Sequence, residues 1–582
     1  MSAAACWLIP RFDPAGIEQL RAALQLSLPA ARVLFNRGYK DPASARRFLR
    51  PSLDDLHDPF LMLGMGPALE RLRRAIARSE KILLYGDYDV DGTTSIVVLK
   101  KAIELAGGQA SYHIPNRLKD GYGMHLEAIG QAAADGIGLI ISLDTGIRAA
   151  EAVCRARSLG IDVIVTDHHL PGDELPPAFA VLNPKQPGCG YPDKDLCGAG
   201  VAFKLAQALL GSLNWPGEKL RRMTESFLKI VAIGTVADVV PLTGENRVIV
   251  RFGLDGFRSV RNPGLRALLR VSGFAEGGVP TANQVAFRIA PRLNAAGRMA
   301  DANDIVNLLL TREESEANSL AGRLHGLNRE RQEAQADIVR TILDDCLKTP
   351  VDDGQPALVF VGREWHRGVV GIVATRLVER FRRPVFVLNE DREQGIAQGS
   401  GRSIPAFHLL GALESMRDLF IRFGGHRQAA GLTLSCDRVD EFRERLAAYA
   451  ASRLKPEDFV SGIQVDASLE FQEISDAAVA EVLDMEPFGH GNPPPVFVSY
   501  DLEVAGTPAV RRDRHLQINL RQNGRTLTLK GWNFAERAAE LAPGARVDAA
   551  FSFEADDYAL TRGYPGWCAV LKDVRRAGRG SV

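Results

Sequence analysis

The chain has 582 residues, 46% of them hydrophobic, which is too long for one core and predicts three or four domains. Lysine plus arginine and aspartate plus glutamate both number 71, so the net charge is zero and any polyanion site has to concentrate positive charge locally. No stretch offers about 18 uninterrupted apolar residues for a membrane span, and the seven cysteines contain no Cys-x-x-Cys pair, which argues against a thiolate zinc site.

Met1-Ser-Ala-Ala-Ala-Cys-Trp7 has no basic n-region, and Arg11 and Asp13 interrupt its apolar run, so no secretory leader is expected. An odd number of scattered cysteines fits a reducing cytoplasm. Residues 1–50 read as a helical N-terminal segment. The apolar run Lys81-Ile-Leu-Leu-Tyr85 then predicts a buried strand, followed directly by Gly86-Asp-Tyr-Asp-Val-Asp-Gly92. In extended chain Asp87, Asp89 and Asp91 share one face, where they repel one another unless a cation sits among them. An EF-hand loop is the nearest alternative, but its twelfth position is Val98 in place of a bidentate glutamate, and a strand precedes it. Three solvated loop acids remain an open reading of this run taken alone.

Later apolar runs end in the same kind of residue. Leu139–Leu143 leads into Asp144, and Asp162–Thr166 leads into Asp167-His168-His169, with helix-like stretches at 94–106, 126–134 and 149–159 between the strands. Such alternation predicts an α/β fold with a parallel sheet and flanking helices, whose ligands bind outside the carboxyl ends of the strands. Convergent carboxylates plus imidazole suit Mg²⁺ or Mn²⁺, and the nitrogen tilts the choice toward Mn²⁺.

Residues 251–300 carry eight arginines against Asp255 and Glu276 only, a local basic stretch that contains too many small residues for a simple charged helix. Thr311 with Glu314 predicts a capping box ahead of a long helix to about Lys348, with Leu320, Leu324, Leu327, Ala334, Ile338 and Ile342 as its inner stripe. A second α/β unit begins near Ala357. Beyond Pro487 alternating runs such as His515–Leu520 and Thr526–Leu529, joined through Asn523-Gly524, predict a small β-barrel with one helix near 535–541.

The order and spacing of Asp-Tyr-Asp-Val-Asp-Gly, Asp144, Asp167-His168-His169 and Ala237-Asp238-Val-Val-Pro241 resemble the four motifs of the DHH phosphoesterase family. Gly399-Ser-Gly-Arg-Ser403 and Gly424-Gly-His426 resemble its associated domain, and Arg288-Ile-Ala-Pro-Arg292-Leu-Asn294-Ala-Ala-Gly-Arg298 resembles the signature of its long exonuclease branch. The resemblance implies two α/β lobes joined by a long helix and a C-terminal oligonucleotide-binding (OB) barrel. The expected limits are 1–50 for the N-terminal segment, 51–255 for the catalytic domain, 256–349 for the arginine-rich connector and long helix, 350–455 for the DHH-associated domain and 460–577 for the barrel.

It further implies a two-metal, 5′→3′ exonuclease of single-stranded DNA acting in repair and recombination. The implied ligands are Asp89, Asp91, Asp144 as a bridge, His168 and Asp238, with Asp87 orienting them. His169 would face the substrate, contacting the phosphate or assisting proton transfer, and Asp167 would fix a histidine tautomer. A monomer is expected, with a single-strand-binding protein and a RecQ-type helicase as implied partners.

Phosphate positioning is assigned to Arg117, Arg292, Asn294, Arg298, Ser400, Arg402, Ser403 and His426. A surface salt bridge is the commoner reading of each arginine alone; the glycines at 399, 401, 424 and 425, which let backbone approach a ligand, favour binding for the set. On the barrel the candidates are Arg511, Arg512, Arg514, Lys530 and Trp532, the last equally suited to a barrel core. A smaller-substrate DHH hydrolase predicts a shorter chain without a barrel, and a non-catalytic DNA-binding scaffold predicts degraded metal acids; every acid and both histidines are present here.

Overall fold

The structure is a computed structural model, and it describes residues 6–578 apart from 12, 118, 349, 353 and 461. Two compact units divide the chain: Met1–Asp55 with Val460–Val582, and Leu56–Phe459. The N-terminal stretch contributes strand β1 (Cys6–Leu8) and helices α1 (Pro14–Leu24), α2 (Leu28–Asn36) and α3 (Pro42–Leu49) to the first unit. Each helix carries a proline in its first turn behind a capping side chain, Asp13, Ser27 or Asp41.

The second unit opens with α4 (Met65–Ala77) and a five-stranded parallel sheet of β2 (Ile82–Gly86), β3 (Ala110–His113), β4 (Leu139–Leu143), β5 (Asp162–Thr166) and β6 (Ala180–Leu182). Helices α5 (Val90–Leu105), α6 (Leu126–Ala134) and α7 (Ala150–Ser158) fill the crossovers. α8 (Gly198–Gly211) and α9 (Gly217–Ala237) pack on α5, and α10 (Gly244–Asp255) packs on α9. The spatial order β3-β2-β4-β5-β6 reverses direction between β2 and β4. A crevice forms at such a switch point, outside the strand ends that carry Asp87 and Asp144.

The arginine-rich stretch is helical, contrary to the expectation from its small residues. It comprises α11 (Pro263–Val271), α12 (Ala282–Gln284), a π turn over Val285–Ile289, α13 (Ala290–Met299) and α14 (Asn303–Leu310). The small residues allow close packing: a Cβ on Gly297 would lie 2.5 Å from the Tyr88 carbonyl oxygen, so α13 lies directly against the Asp87–Asp91 turn.

The long helix α15 runs Glu314–Lys348. The expected capping box is replaced: Thr311 accepts from the Glu313 amide at 3.1 Å and pairs with Glu316, while Glu314 is drawn off to Arg266. Its inner face buries Ala317, Ala321, Leu324, Ile338 and Ile342 but also Asn328, Arg331 and Gln335, which an apolar stripe did not foretell.

The second lobe of this unit consists of β7 (Leu358–Arg363), α16 (Val370–Phe381), β8 (Val385–Asp391), β9 (Ile396–Arg402), α17 (Leu409–Glu414), β10 (Phe420–Gly425), β11 (Ala429–Ser435) and α18 (Val439–Ala451). Its sheet has the order β10-β11-β9-β8-β7, and only β7 and β8 pair in parallel. Glycines in β9 serve this packing, since a Cβ on Gly399 would meet the Val387 carbonyl oxygen at 2.0 Å.

The first unit resumes with β12 (Gly462–Gln464), β13 (Ala467–Ser468), α19 (Asp476–Leu483), β14 (Phe497–Val504), β15 (Ala509–Arg511), β16 (His515–Gln522), β17 (Arg525–Gly531), β18 (Arg546–Ala555), α20 (Asp557–Leu560) and β19 (Trp567–Arg576). Strands β14-β18-β19-β17-β16 close back onto β14 as a five-stranded barrel. The helix expected near 535–541 is a 3₁₀ turn, Ala535–Glu540, the tighter form that so short a run between two strands adopts. Ile17, Leu34, Phe35 and Phe48 share one core with Phe497 and Phe551, and β1 pairs in parallel with β12. The N-terminal segment is thus a covering layer of the barrel.

Candidate active site

Strand β2 ends at Gly86 and α5 starts at Val90, so the three acids wrap a strand-to-helix turn and do not share the face of an extended chain. Asp89 caps α5, its carboxylate accepting from the Gly92 amide at 3.0 Å, and Asp91 lies in the first helical turn. Local hydrogen bonding at a helix start overrides the two-residue strand repeat. Asp144 follows β4 with φ +60°, a left-handed conformation that aspartate tolerates, and Asp167 to His169 follow β5. Asp238 is the C-cap of α9.

These residues form three overlapping groups able to hold a cation: Asp87, Asp89 and Asp144; Asp91, His168 and Asp238; and Asp144, His168 and His169. His168 Nε2 stands 3.1 Å from Asp144 Oδ1, 3.6 Å from Asp238 Oδ2 and 3.8 Å from Asp91 Oδ2. Burial, then repulsion from His169, lowers the His168 pKa to about 3, so the ring is neutral and no proton charge compensates the facing oxygens. Asp144 Oδ1, Asp238 Oδ2 and Asp87 Oδ1 are buried without a hydrogen-bond partner.

Burial and then mutual repulsion raise Asp87, Asp144 and Asp238 well above the usual carboxylate range, and Asp91 to about 6. Buried acceptors converging on one point are stable when a divalent ion shares them. The donor set fits Mn²⁺ or Mg²⁺.

Asp91 is seated by α8, whose Gly198 and Ala199 amides donate to Oδ2 and Oδ1 at 2.6 and 2.8 Å. Asp167 receives the His168, His169 and Ile147 amides and faces His169 Nδ1 at 2.7 Å. Burial opposes the charged ring, but the Asp167 contact wins and raises the His169 pKa. Asn183 donates to the His169 carbonyl at 2.9 Å, and Lys185 adds a positive field at Asp238 and His168. Gly198, Ala199, Asn183 and Lys185 were not singled out from the sequence. Leu196-Cys-Gly-Ala-Gly200 carries no charge, and only the crowding of small residues at a helix start could have marked it.

The candidate phosphate residues divide. Arg117 lies over the Tyr88 ring at 5.0 Å, and Asn294 Oδ1 accepts from the Val90 amide at 3.3 Å. Arg298 is depressed to about 9, first by burial and then by Arg117 and Arg402; burial and Arg117 also depress Arg402. Three guanidiniums therefore crowd together beside Asp89. Ser400 lines the same face of β9, against Gly371 and near Arg402. Burial, Arg148 and His169 lower His426, placing it across from the histidine pair.

Two candidates face elsewhere. Ser403 is buried and donates to the Phe407 carbonyl at 3.0 Å, closing a turn. Arg292 is held by the Arg288 carbonyl and by His325 at 3.2 Å. On the barrel, Trp532 is 51% exposed beside His515, so it is no core residue, whereas Lys530 is paired with Asp556 at 2.6 Å. Arg511, Arg512 and Arg514 are exposed around a turn in which Arg512 has φ +51°.

A parallel sheet with a carboxylate and histidine cluster at its switch point, facing a glycine-rich lobe with crowded guanidiniums, defines a metal-dependent phosphoesterase of the DHH class. Residues 81–235 match the DHH family, N-terminal domain, residues 354–452 the DHHA1 domain and residues 465–563 the RecJ OB domain. The chain is 40% identical over 546 residues to the single-stranded-DNA-specific exonuclease RecJ of Bacillus subtilis, covering 93% of this chain and 67% of that protein. The RecJ of Escherichia coli is 38% identical, with 80% and 82% covered. RecJ of Thermus thermophilus in complex with Mn²⁺ superposes with a TM-score of 0.83 at 30% identity, covering 98% of this chain and 79% of that one. The chain belongs to the RecJ family.

Proposed function

We propose that this chain degrades single-stranded DNA exonucleolytically from its 5′ end, in DNA repair and recombination, by phosphodiester hydrolysis with two divalent ions, Mn²⁺ or Mg²⁺. The observation that carries the reading is the set of buried, unpartnered oxygens around His168 Nε2 facing the Arg117, Arg298 and Arg402 group. Bound there, the ions would polarise the scissile phosphate and bring the pKa of a coordinated water toward neutrality.

Asp89, Asp91, Asp144, His168 and Asp238 are proposed as the ligands, and the unpartnered Asp87 oxygen adds a sixth acceptor to the role of orienting Asp89 and Asp144. His169, raised by Asp167, is placed to contact the phosphate or pass a proton to the leaving 3′ oxygen. Arg117, Arg298, Arg402 and Ser400 would hold phosphate oxygens in line, and His426 would approach from the second lobe. Arg511, Arg512, Arg514 and Trp532 would bind the strand further along by charge and stacking. Among the described residues no helix is long and apolar enough to cross a membrane. A cytoplasmic monomer working beside a single-strand-binding protein and a RecQ-type helicase is proposed on family resemblance.

The test is digestion of end-labelled linear and circular single strands, and of duplex, with Mn²⁺, Mg²⁺ or chelator. Loss of the linear strand alone, from its 5′ end and only with metal, is expected. Digestion of the circle or activity in chelator would overturn the reading.

A further inference from the structure

A cavity of about 790 Å³ opens away from the metal cluster, between α5, α9, the start of α11 and the end of α14. Its walls carry Lys101, Lys219, Arg222, Lys229, Arg261 and Arg312 against a single carboxylate, Glu225. Three of these cations are engaged: Lys101 by Glu104 at 3.0 Å, Lys219 over the Trp215 ring at 3.6 Å and Arg222 by Glu218 at 3.8 Å. The side chains of Lys229, Arg261 and Arg312 make no hydrogen bond or ion pair among the described residues.

Lys229 is half-buried, and Arg261 and Arg312 are exposed; like charges gathered on one groove raise the free energy unless an anion lies among them. Lys229 registers this: burial depresses its ammonium, and repulsion from Arg261 adds to the effect against the pull of Glu225. Beneath the cations the floor is apolar, built from Val98, Phe227, Leu265 and Leu309. The hydroxyls of Ser226 and Ser259 at the rim are also unengaged among the described residues. A concave site of roughly 300–1,000 Å³ with an apolar floor and a few convergent polar groups is the general form of a small-molecule site.

We infer that this groove binds a nucleoside polyphosphate, with the phosphates on Lys229, Arg261 and Arg312 and the base and sugar against the apolar floor. Cations that repel at close range are matched by a ligand that concentrates several charges on adjacent groups, as a phosphate chain does. A peptide spreads its carboxylates along a backbone. The site is also connected to the chemistry. α9, which supplies Lys229, ends at its C-cap Asp238, nine residues later and about 13 Å along the helix axis, and α5, which supplies Val98, begins at Asp89 and Asp91. A ligand wedged between these two helices braces the elements that carry metal-facing acids.

The experiment uses the full chain in chelator, titrated calorimetrically with ATP, tripolyphosphate, adenosine, a hexa-aspartate peptide and an oligothymidylate. ATP should bind more tightly than either of its parts, and Lys229→Ala, Arg261→Ala and Arg312→Ala should each weaken it about tenfold, the loss of one charge-assisted contact. The Arg402→Ala protein should bind ATP as the parent does, which separates this groove from the guanidinium side of the catalytic cleft. Circular dichroism and melting of each variant report whether it is folded. Absence of ATP binding at about 1 mM, undiminished binding in the folded Arg261→Ala/Arg312→Ala protein, or displacement of ATP by hexa-aspartate or oligothymidylate at equal concentration would overturn the assignment.

Discussion

The Gly198 amide donates to Asp91 Oδ2 over 2.6 Å, and a Cβ on the same glycine would lie 2.6 Å from Asp144 Cβ. One residue without a side chain therefore seats two metal-facing acids, one by a hydrogen bond and the other by leaving it room. Gly198→Ala should keep the fold and lower Mn²⁺ affinity by about 10- to 100-fold, the range seen when groups that orient metal ligands are removed. Calorimetric Mn²⁺ titration beside melting in chelator checks this. Parental affinity in the variant would show that Asp144 is not confined by the glycine.

Asp144→Asn should reduce hydrolysis by at least about 1,000-fold while largely sparing the binding of single strands, because Asp144 belongs to two of the three cation groups and the basic strand-binding surfaces lie elsewhere. Its chelated form should melt no lower than the parent, since one of several mutually repelling buried acids has gone. Rates within tenfold of the parent would remove Asp144 from the metal assignment.

Arg402 is half-buried beside Arg117 and donates to the Gly401 carbonyl at 2.8 Å, with no acid partner among the described residues. Arg402→Ala should raise the barrier to turnover by about 2 to 4 kcal/mol, the value of one desolvated contact to developing charge. Binding of long strands, spread over many contacts, should change much less. An unaltered kcat at saturating DNA would mean that Arg402 does not touch the reacting phosphate.

In the metal-free protein the four raised acids Asp87, Asp91, Asp144 and Asp238 should cost stability as pH rises, outweighing His168, whose depressed ring acts in the opposite sense up to about 6.5. Burial, then repulsion from Asp89, raises Asp91 from 3.8 to about 6, so the folded state holds its proton more tightly than the unfolded chain. That contribution is complete below 3.8 and is lost as pH passes through about 6. Melting in chelator between pH 4 and pH 7 should therefore show a falling midpoint. Mn²⁺ should restore the midpoint increasingly toward the upper end, because ligands must deprotonate to bind. A midpoint in chelator that climbs across this window would contradict the assigned environment.

The fragment 56–459 should fold and retain metal binding and cleavage of short oligonucleotides, because it coincides with one compact unit. Removing 460–582 alone should do worse, since Ile17, Leu34, Phe35 and Phe48 would lose the barrel core they pack into. With 56–459, affinity for long strands should fall, and the slope of log affinity against log salt should drop by about 0.7 for each phosphate contact removed. Equal solubility of the two truncations by light scattering would show that the N-terminal layer does not depend on the barrel core, and an unchanged salt slope would show that the barrel makes no phosphate contacts.

Much of the site was legible in the chain. The run from Lys81 to Gly92 and the residues after Leu143 and Thr166 declare strands that end in acids and histidines, whereas Asp238 is brought to them at the C-cap of helix α9. Strand periodicity and chain order alone bring such ends to one edge of a parallel sheet. The glycine-rich blocks at 399–403 and 424–431 read as places where backbone approaches a ligand, but Gly399, Gly401 and Gly425 make room for Val387, Phe386 and Ala429 of the same lobe, and a Cβ on Gly424 would meet nothing within 4 Å. Tertiary structure decided which atoms meet.

Asp91 is held by a glycine 107 positions away, the small residues of α13 exist to lie on Tyr88, and Ser403, Arg292 and Lys530 are occupied by partners that their local sequence does not mention. Residues 6–55 found their place on a barrel that begins more than 400 positions later. Spacing along a chain encodes which face of a strand or helix a residue occupies, because that depends on near neighbours. Which distant face it packs against is set by complementary shape and by the requirement that every buried polar group be satisfied, and those exist only once the chain has folded.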